Sequence, residues 1–305
     1  MHTAFFKIGS FTIHWYGVMM ALGFLAALLN WHFLGKKEGR RLDYCSDLLF
    51  WIMLSGIIGA RIAYVASNFR YFIDNPAEII RIDRGGLIYY GGFLAAGGAI
   101  VVFARVHKEK ISGLFDFVIT AVPLAHAFGR IGCFLHGCCF GKVCHSFPAV
   151  RFPITSPAAW KHHAEGLIAN ERVERLMTAV KDWRMSKSEL TEKVRDLVES
   201  GAISRTDALS LPVHPVQLYE SALNIFIYIL LIQSYRHRQS SGRTLALYLI
   251  SYPIVRFSME FLRGDERMRY AGLTLAQIIS AGLFALGIVF FLYSRKKGNS
   301  GPPHE

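Results

Sequence analysis

Residues 48–67 read LLFWIMLSGIIGARIAYVAS, an apolar run in which Arg61 is the one charged residue. The hydrocarbon core of a bilayer is about 30 Å thick, and a helix needs roughly 20 mostly apolar residues to cross it. This stretch has that length and composition, and similar stretches recur along the chain. It therefore predicts one transmembrane helix in a protein that has several.

The composition agrees with a lipid environment, since 52% of the 305 residues are hydrophobic and 18% are charged. Seven spans are predicted: Tyr16–Leu34, Leu48–Ser67, Leu87–Val106, Leu114–Ile131, Val216–Tyr235, Thr244–Leu262 and Leu273–Tyr293. The predicted fold class is therefore an all-α integral membrane protein of about seven transmembrane helices.

A long insertion separates the fourth span from the fifth. The predicted organisation is helices one to four in 1–131, the insertion in 132–214, helices five to seven in 215–297 and a polar tail in 298–305. Within the insertion, Glu171–Trp183 and Ser186–Glu199 mix charged and apolar residues at helical spacing, which predicts two amphipathic helices. Residues 154–213 are either a solvated surface subdomain or a lid that guides substrate.

The net charge of +12 lies mainly in short connections beside the spans. These basic residues are Lys36, Lys37, Arg40, Arg41, Arg105, Lys108, Lys110, Arg236, Arg238, Arg243, Arg295, Lys296 and Lys297. The positive-inside bias predicts that these connections are cytoplasmic, with the N-terminus and the insertion outside and the C-terminus inside. Charge distributed in this way favours a membrane protein over a nucleic-acid-binding protein.

Ionisable side chains inside predicted spans are candidate functional residues: Arg61, His126, Arg130, Arg256, Glu260 and Arg263. A charge at the bilayer centre costs about 2.5 to 3.5 kcal/mol, so such groups face the bundle interior and find partners. His126 and Arg130 share one helix face because four residues separate them. The residues of the sixth span share a face in the same way. We expect the two faces to meet in one polar cavity.

Two interpretations of these arginines are open. In the structural one, Arg256 pairs with Glu260, while Arg61 and Arg263 extend to the membrane interface. In the functional one, the arginines outnumber the nearby carboxylates, so a negative ligand neutralises the surplus. Guanidinium groups bind phosphate bidentately and keep their charge in a low dielectric, which predicts a phospholipid phosphate as the ligand.

Five ordered motifs carry a resemblance to a known family. Residues 129–141 read GRIGCFLHGCCFG, which resembles the prolipoprotein diacylglyceryl transferase signature Gly-Arg-x-Gly-Asn-Phe-x-Asn-x-Glu-x-x-Gly. The other similar segments are HWYG at 14–17, YYGGF at 89–93, HPVQLYE at 214–220 and RFSMEFLR at 256–263. The resemblance covers nearly all of the chain outside the insertion.

The resemblance implies a seven-helix enzyme of the bacterial cytoplasmic (inner) membrane. Such an enzyme transfers the diacylglyceryl group of phosphatidylglycerol to the lipobox cysteine thiol of a preprolipoprotein, which forms a thioether and releases glycerol phosphate. The implied partners are phosphatidylglycerol, signal peptides with a lipobox cysteine, and membrane lipids. No metal, nucleotide or other cofactor is implied.

The resemblance also implies roles for individual residues. Arg130, Arg256 and Tyr90 are the implied catalytic residues. The predicted substrate-binding residues are Arg130, Tyr16, Gly129, Gly141, Glu260 and Arg263, together with Arg61, which is included because of its charge inside a predicted span. Fixed positive charge near the reacting carbon stabilises the departing phosphate and favours the attacking thiolate.

Tyr90 departs from the family pattern, because it stands where the family has the histidine proposed as the base for the thiol. A phenol with an ordinary pKa near 10 is a poor base at neutral pH. Three explanations are open: Tyr90 hydrogen-bonds the lipid, another histidine (His14, His126 or His136) accepts the proton, or the arginines make a dedicated base unnecessary. We hypothesise the last, because of the arginine surplus.

The signature also departs at its usual Asn, Asn and Glu positions, which are Cys133, His136 and Cys138 here. Further potential ligands follow at Cys139, Cys144 and His145. Disulfides or free thiols, a metal site and direct catalysis are the open explanations. A competing function is a non-enzymatic transporter or metal-handling membrane protein that uses this Cys/His cluster at 133–145.

Overall fold

The computed structural model describes residues 4–8, 11–81, 85–168, 170–182, 187–237, 240–265 and 267–299. The chain divides into two compact units. The first unit comprises Met1–Phe24, Pro123–Ile229 and Leu249–Ile288, and the second comprises Leu25–Val122, Leu230–Tyr248 and Val289–Glu305.

Helices dominate the described chain, which confirms the prediction that the fold is nearly all-α. Two short antiparallel hairpins are formed by β1 (Ala4–Ile8) with β2 (Phe11–His14), and by β3 (Arg269–Tyr270) with β4 (Leu273–Thr274). The helices are α1 (Trp15–Lys36), α2 (Leu42–Ser67), α3 (Phe69–Asp74), α4 (Tyr89–Val106), α5 (Ile111–Ile119), α6 (Val122–His136), α7 (Pro157–Ala164), α8 (Glu171–Lys181), α9 (Lys187–Glu199), α10 (Val216–Arg236), α11 (Arg243–Glu260) and α12 (Leu275–Asn299), with a 3-10 helix at Pro76–Ile80.

Six helical segments of the described chain are long and apolar enough to cross a membrane. They are Trp15–Lys36, Leu42–Ser67, Tyr89–Val106, Ile111–His136, Val216–Arg236 and Leu275–Arg295. The predicted span Thr244–Leu262 corresponds to α11, which carries Arg243, Arg256 and Glu260 and is not among the six. The count of seven therefore stays a prediction.

The predicted span Leu114–Ile131 is interrupted. Helix α5 ends at Ile119 and α6 begins at Val122, one residue before Pro123. A proline has no backbone N–H to donate to the carbonyl four residues earlier, and its ring crowds that carbonyl, so it favours a break here. Helix α6 then continues past the predicted end to His136.

The second unit packs around an apolar core in which Leu48, Leu114 and Phe117 are fully buried. Helices α2 and α4 approach closely through glycine. A Cβ atom placed on Gly92 would lie 2.8 Å from the carbonyl oxygen of Gly56. Small residues allow such close packing between membrane helices.

The insertion contains both predicted amphipathic helices, since α8 and α9 match Glu171–Trp183 and Ser186–Glu199 apart from residues 183–186, which lie outside the described chain. Their apolar faces meet in a core that buries Val173, Met177 and Leu190. The placement of the insertion outside the membrane stays a prediction. Of the predicted polar tail, residues 300–305 are also outside the described chain.

Candidate functional site

Helix α10 presents a polar face to α6 within the first unit. Gln217, Ser221 and Asn224 lie on that face at positions i, i+4 and i+7, and all three are buried. Ser221 Oγ donates to the carbonyl oxygen of Ala127 (3.1 Å), and Gln217 Nε2 donates to that of Cys138 (2.7 Å). These bonds hold α10 against α6 and the loop that follows it.

Glu220 is the centre of the site. Its carboxylate is almost completely buried and forms an ion pair with Arg130 of α6. Arg256 Nη1 and Arg263 Nη1 each lie 3.8 Å from Glu220 Oε1. The two polar helix faces predicted from sequence therefore do meet, and they meet at this carboxylate.

A second layer of ion pairs surrounds the first. Arg256 Nη1 lies 2.7 Å from Glu260 Oε2, the i, i+4 pair expected on one helix face. Arg263 donates from Nε and Nη2 to the two carboxylate oxygens of Asp265, at 2.9 and 2.8 Å. The Arg263 side chain is only 2% exposed, so protein groups enclose its guanidinium group, and the interpretation that it extends to the interface stays a prediction.

Asp265 lies outside the six candidate spans, where Arg267 Nη2 also approaches it at 3.1 Å. Burial opposes its ionisation, but hydrogen bonds and charge from Arg263, together with the charge of Arg267, hold the pKa of Asp265 below its ordinary value. The carboxylate is therefore ionised at neutral pH.

Among the described residues of this network, positive charge exceeds negative charge by one. The guanidinium groups are those of Arg130, Arg256, Arg263 and Arg267, and the carboxylates are those of Glu220, Glu260 and Asp265. A cavity of about 620 Å³ beside the network is lined by Lys142, Arg263, Gly264, Asp265, Arg267, Met268 and Arg269. Four cationic residues against one carboxylate make this cavity suited to an anion.

Arg130 keeps part of its guanidinium group available. Its ion pair with Glu220 and its hydrogen bond to His126 Nε2 (3.2 Å) both use Nε. The two Nη groups form the fork that binds a phosphate or carboxylate bidentately. Because Nε2 accepts the bond, His126 is neutral and this nitrogen is occupied, which disfavours His126 as the base.

Arg61 of the second unit is arranged differently, with every guanidinium N–H bound to the backbone. Nε donates to Ile79, Nη1 to Gly85 and Gly86, and Nη2 to Glu78 and Arg81, at 2.5 to 3.0 Å. The side chain is buried among these carbonyl groups, and the interpretation that it extends to the interface stays a prediction. These contacts favour a structural role, and its role in substrate binding stays a prediction.

The two predicted tyrosines lie in different units. Tyr16 packs against α6 in the first unit, where a Cβ atom on Gly132 would lie 3.2 Å from Tyr16 Cδ2. Tyr90 belongs to α4 in the second unit, is half exposed, and makes an edge contact with the ring of Tyr89. The predicted roles of Tyr16 and Tyr90 stay predictions.

Gly141 has a steric role. Its N–H donates to the carbonyl oxygen of His214 (3.0 Å), and a Cβ atom at Gly141 would lie 2.6 Å from His214 Cβ. The neighbouring Lys142 N–H donates to Leu262 (2.8 Å), so this loop joins the regions around His214 and Arg263. Gly129 is less constrained, since its added Cβ would make only an ordinary contact with Met20.

Three members of the network were not among the predicted site residues. Glu220 was available as a carboxylate within a predicted span and at the end of the HPVQLYE motif, but its central position depends on partners far away in the chain. Asp265 and Arg267 follow the last residue of α11's predicted span in an ordinary charged loop. No local sequence signal distinguishes them from surface residues.

The cysteine cluster contains three of the candidate ligands. The Sγ atoms of Cys133, Cys138 and Cys139 lie within 4.8 Å of one another. Cys144 instead lies 3.2 Å from Ser146 Oγ. All five cysteines of the chain are described, and all five are free thiols.

Comparison with known proteins gives one family over nearly the whole chain. The family model described as prolipoprotein diacylglyceryl transferase matches residues 3–293. A relative from Psychrobacter arcticus, named phosphatidylglycerol--prolipoprotein diacylglyceryl transferase, is 31% identical over 95% of this chain and 92% of its own length. A relative of the same name from Clostridium tetani is 30% identical over 97% of this chain and 98% of its own length. The chain therefore belongs to the prolipoprotein diacylglyceryl transferase family.

Proposed function

We propose that this protein transfers the diacylglyceryl group of phosphatidylglycerol to the lipobox cysteine thiol of a preprolipoprotein. The observation that carries the proposal is the convergence of Arg130, Arg256 and Arg263 on the buried carboxylate of Glu220. The names of the relatives give the substrates of those proteins as phosphatidylglycerol and prolipoprotein. An arginine cluster with a net positive charge is the environment that such a lipid headgroup requires.

The phosphate of phosphatidylglycerol is the group that the arginines would bind. A phosphodiester carries one negative charge, and the described residues of the network carry a net positive charge that attracts it. Arg130 would bind it through Nη1 and Nη2, since its described contacts use Nε. The cationic cavity beside Arg263 would accept the glycerol phosphate part of the headgroup.

In the reaction, the thiol sulfur attacks the diacylglyceryl carbon that carries the phosphate ester. The C–S bond forms as the C–O bond breaks, and the bonding electron pair leaves on the phosphate oxygen. The phosphate thereby changes from a monoanionic diester to a dianionic monoester, and the thiol proton is released. Fixed guanidinium groups stabilise this developing charge more than they stabilise the bound substrate, which lowers the barrier.

The six apolar helical segments and the bacterial relatives indicate a multi-pass membrane protein. We place it in the bacterial cytoplasmic membrane with the N-terminus outside and the C-terminus in the cytoplasm. The support for this orientation is the set of basic residues beside alternate spans. The insertion would then lie on the outer side, where preprolipoproteins emerge.

The competing transporter or metal-handling function is not favoured. The relatives that match nearly the whole chain are named as transferases, and the sequence has no internal repeat of the kind that many transporters show.

A transfer assay tests the proposal. The full chain, purified in detergent, should move labelled diacylglycerol from phosphatidylglycerol to a peptide that contains a lipobox cysteine. The Arg130→Gln variant should lose activity by a factor on the order of 10² to 10³, the usual effect of removing one preorganised charge donor. Arg175→Gln, on an exposed face of α8, is the matched control and should retain activity.

Rescue of a bacterium depleted of its own transferase gives an independent test. The wild-type chain should restore growth, and Arg130→Ala should not, at equal amounts of membrane protein. Absence of labelled transfer together with absence of rescue by the wild-type chain would refute the proposed function.

A further inference from the structure

The geometry of the α6 C-terminus brings three thiols together. Helix α6 ends at His136, and Gly137 follows with a positive φ of 76°. Its N–H donates to Phe134 and the next N–H, that of Cys138, donates to Cys133, both at 3.1 Å. This is the pair of bonds that defines a Schellman cap, and it folds the chain back over the last helical turn.

The cap sets the positions of the three sulfurs. Cys138 is brought over Cys133, and Cys139, with a positive φ of 60°, turns its side chain to the same side. All three are partly buried, with Sγ atoms within 4.8 Å of one another. Gln217 fixes the turn by donating to the carbonyl oxygen of Cys138 at 2.7 Å.

The sulfur separations suit a metal ion. Three sulfurs that each lie about 2.3 Å from one ion are about 3.8 to 4.0 Å apart, which falls within the observed limit. A disulfide explains the cluster less well, because three thiols form one disulfide and leave one sulfur over. Thiolate sulfur is a soft ligand that selects Cu(I) and Zn(II) over hard cations such as Mg(II) and Ca(II).

Two arginines of the candidate site lie near the sulfur cluster, Arg263 close enough to Cys139 and Arg130 close enough to Cys133 for their charges to interact. The arginines of the candidate site thus lie on one side of the sulfur cluster.

We propose that Cys133, Cys138 and Cys139 form a binding site for one thiophilic d10 cation, Cu(I) or Zn(II). The cation joins the last turn of α6 to the loop that follows it, which restrains the helix that carries Arg130. Cu(I) would be held by the three thiolates alone, whereas Zn(II) would add a fourth ligand such as water. This site does not depend on the proposed transferase activity.

Metal content tests the site directly. The full chain is expressed with added zinc or copper, purified in detergent without chelator, and measured by elemental analysis. The wild type should hold about one ion per chain, and Cys133→Ser, Cys138→Ser and Cys139→Ser should each lose most of it. Cys144→Ser is the matched control and should keep the ion, because Cys144 contacts Ser146. When both metals are supplied together, the element that the protein retains shows whether the site prefers Cu(I) or Zn(II).

Thiol accessibility gives a readout that does not depend on the folding of any variant. Wild-type protein loaded with Zn(II), or with Cu(I) under reducing conditions, should have three of its thiols protected from alkylation. A chelator should expose those three, and peptide mapping should identify them as Cys133, Cys138 and Cys139. Substoichiometric metal in the wild type, equal metal in Cys138→Ser and Cys144→Ser, or a disulfide among the three would each overturn the site.

Discussion

Arg61 and Arg130 are both buried arginines in apolar helices, yet their surroundings differ in kind. Arg61, in the second unit, donates all of its guanidinium hydrogens to backbone carbonyls between Glu78 and Gly86. Arg130, in the first unit, contacts the side chains of His126 and Glu220 through Nε. The carbonyl partners of Arg61 are neutral and belong to a loop. The carboxylate partner of Arg130 is an anion, and an anionic ligand can take over part of its interaction with the guanidinium group.

The comparison shows that the cost of burying an arginine does not indicate its role. A buried cation must have partners wherever it lies. When the partners are neutral carbonyls that use every N–H, the arginine organises a loop. When the partners are carboxylates that leave N–H groups available, the same residue type is suited to bind an anion.

The largest expected effect is at the carboxylate of the Arg130 network. Glu220→Gln removes the negative charge that three arginines share, and breaking a buried ion pair on one side typically costs about 3 to 5 kcal/mol. We expect a matching loss in the free energy of unfolding in detergent, measured by thermal or chemical denaturation. Added phosphate should restore part of the lost stability, because its negative charge can neutralise the arginines that Glu220 neutralises in the wild type.

Glu171→Gln is the control for this measurement, because its side chain is 80% exposed and its ion pair with Arg175 lies on the surface. Equal stability of Glu220→Gln and Glu171→Gln would contradict a central role for Glu220.

Arg61→Gln should separate structure from function. The carbonyls around Ile79 and Gly85 lose their donors, so we expect a loss of about 1 to 3 kcal/mol in stability. Transfer activity per folded molecule should stay within a few-fold of wild type. Activity as low as that of Arg130→Gln, with unchanged stability, would instead support the predicted role of Arg61 in substrate binding.

A smaller effect is expected at Asp265, which fixes Arg263 at the edge of the network. Its lowered pKa means that its stabilising effect is present above the unfolded-state pKa of about 3.9 and is lost as the pH falls through the folded-state pKa. Asp265→Asn should therefore lower the free energy of unfolding by about 1 kcal/mol at pH 7. The variant should also lose less stability than the wild type as the pH falls. The denaturation midpoints of both proteins, measured from pH 7 down to pH 3, give the loss of stability with falling pH. Identical pH profiles for the two proteins would refute the stabilising role of Asp265.

Tyr90→Phe should have the smallest effect. Tyr90 lies in α4 of the second unit, and our hypothesis is that the arginines make a dedicated base unnecessary. We expect turnover within about 3-fold of wild type, which corresponds to a change of less than about 1 kcal/mol in the activation free energy. Abolished turnover with intact lipid binding would show that the phenol takes part in the reaction.

Much of the architecture was predictable because it depends on local composition. Each predicted span except Thr244–Leu262 corresponds to one of the apolar helical segments, and both amphipathic helices of the insertion are present. The break before Pro123 was missed, although proline is a local signal. The two hairpins of the first unit were also missed, since they are short and their pairing is not visible as a hydropathy pattern.

The candidate site was predictable in part. Helical spacing correctly placed His126 with Arg130 and Arg256 with Glu260, because residues four apart on a helix must be neighbours. The partners of Arg130, Arg61 and Arg263 were not predictable in the same way. Glu220 is separated from Arg130 by a long insertion, so only the packing of α10 on α6 brings them together.

The sequence alone was sufficient for the membrane class, the amphipathic helices and the family, because hydropathy and ordered motifs are properties of short segments. The tertiary structure was needed to distinguish the arginine that clamps a loop from those that surround a carboxylate. The physical reason is that a buried charge or thiol acquires its chemistry from the groups that face it. Those groups come from segments whose proximity depends on how the helices pack.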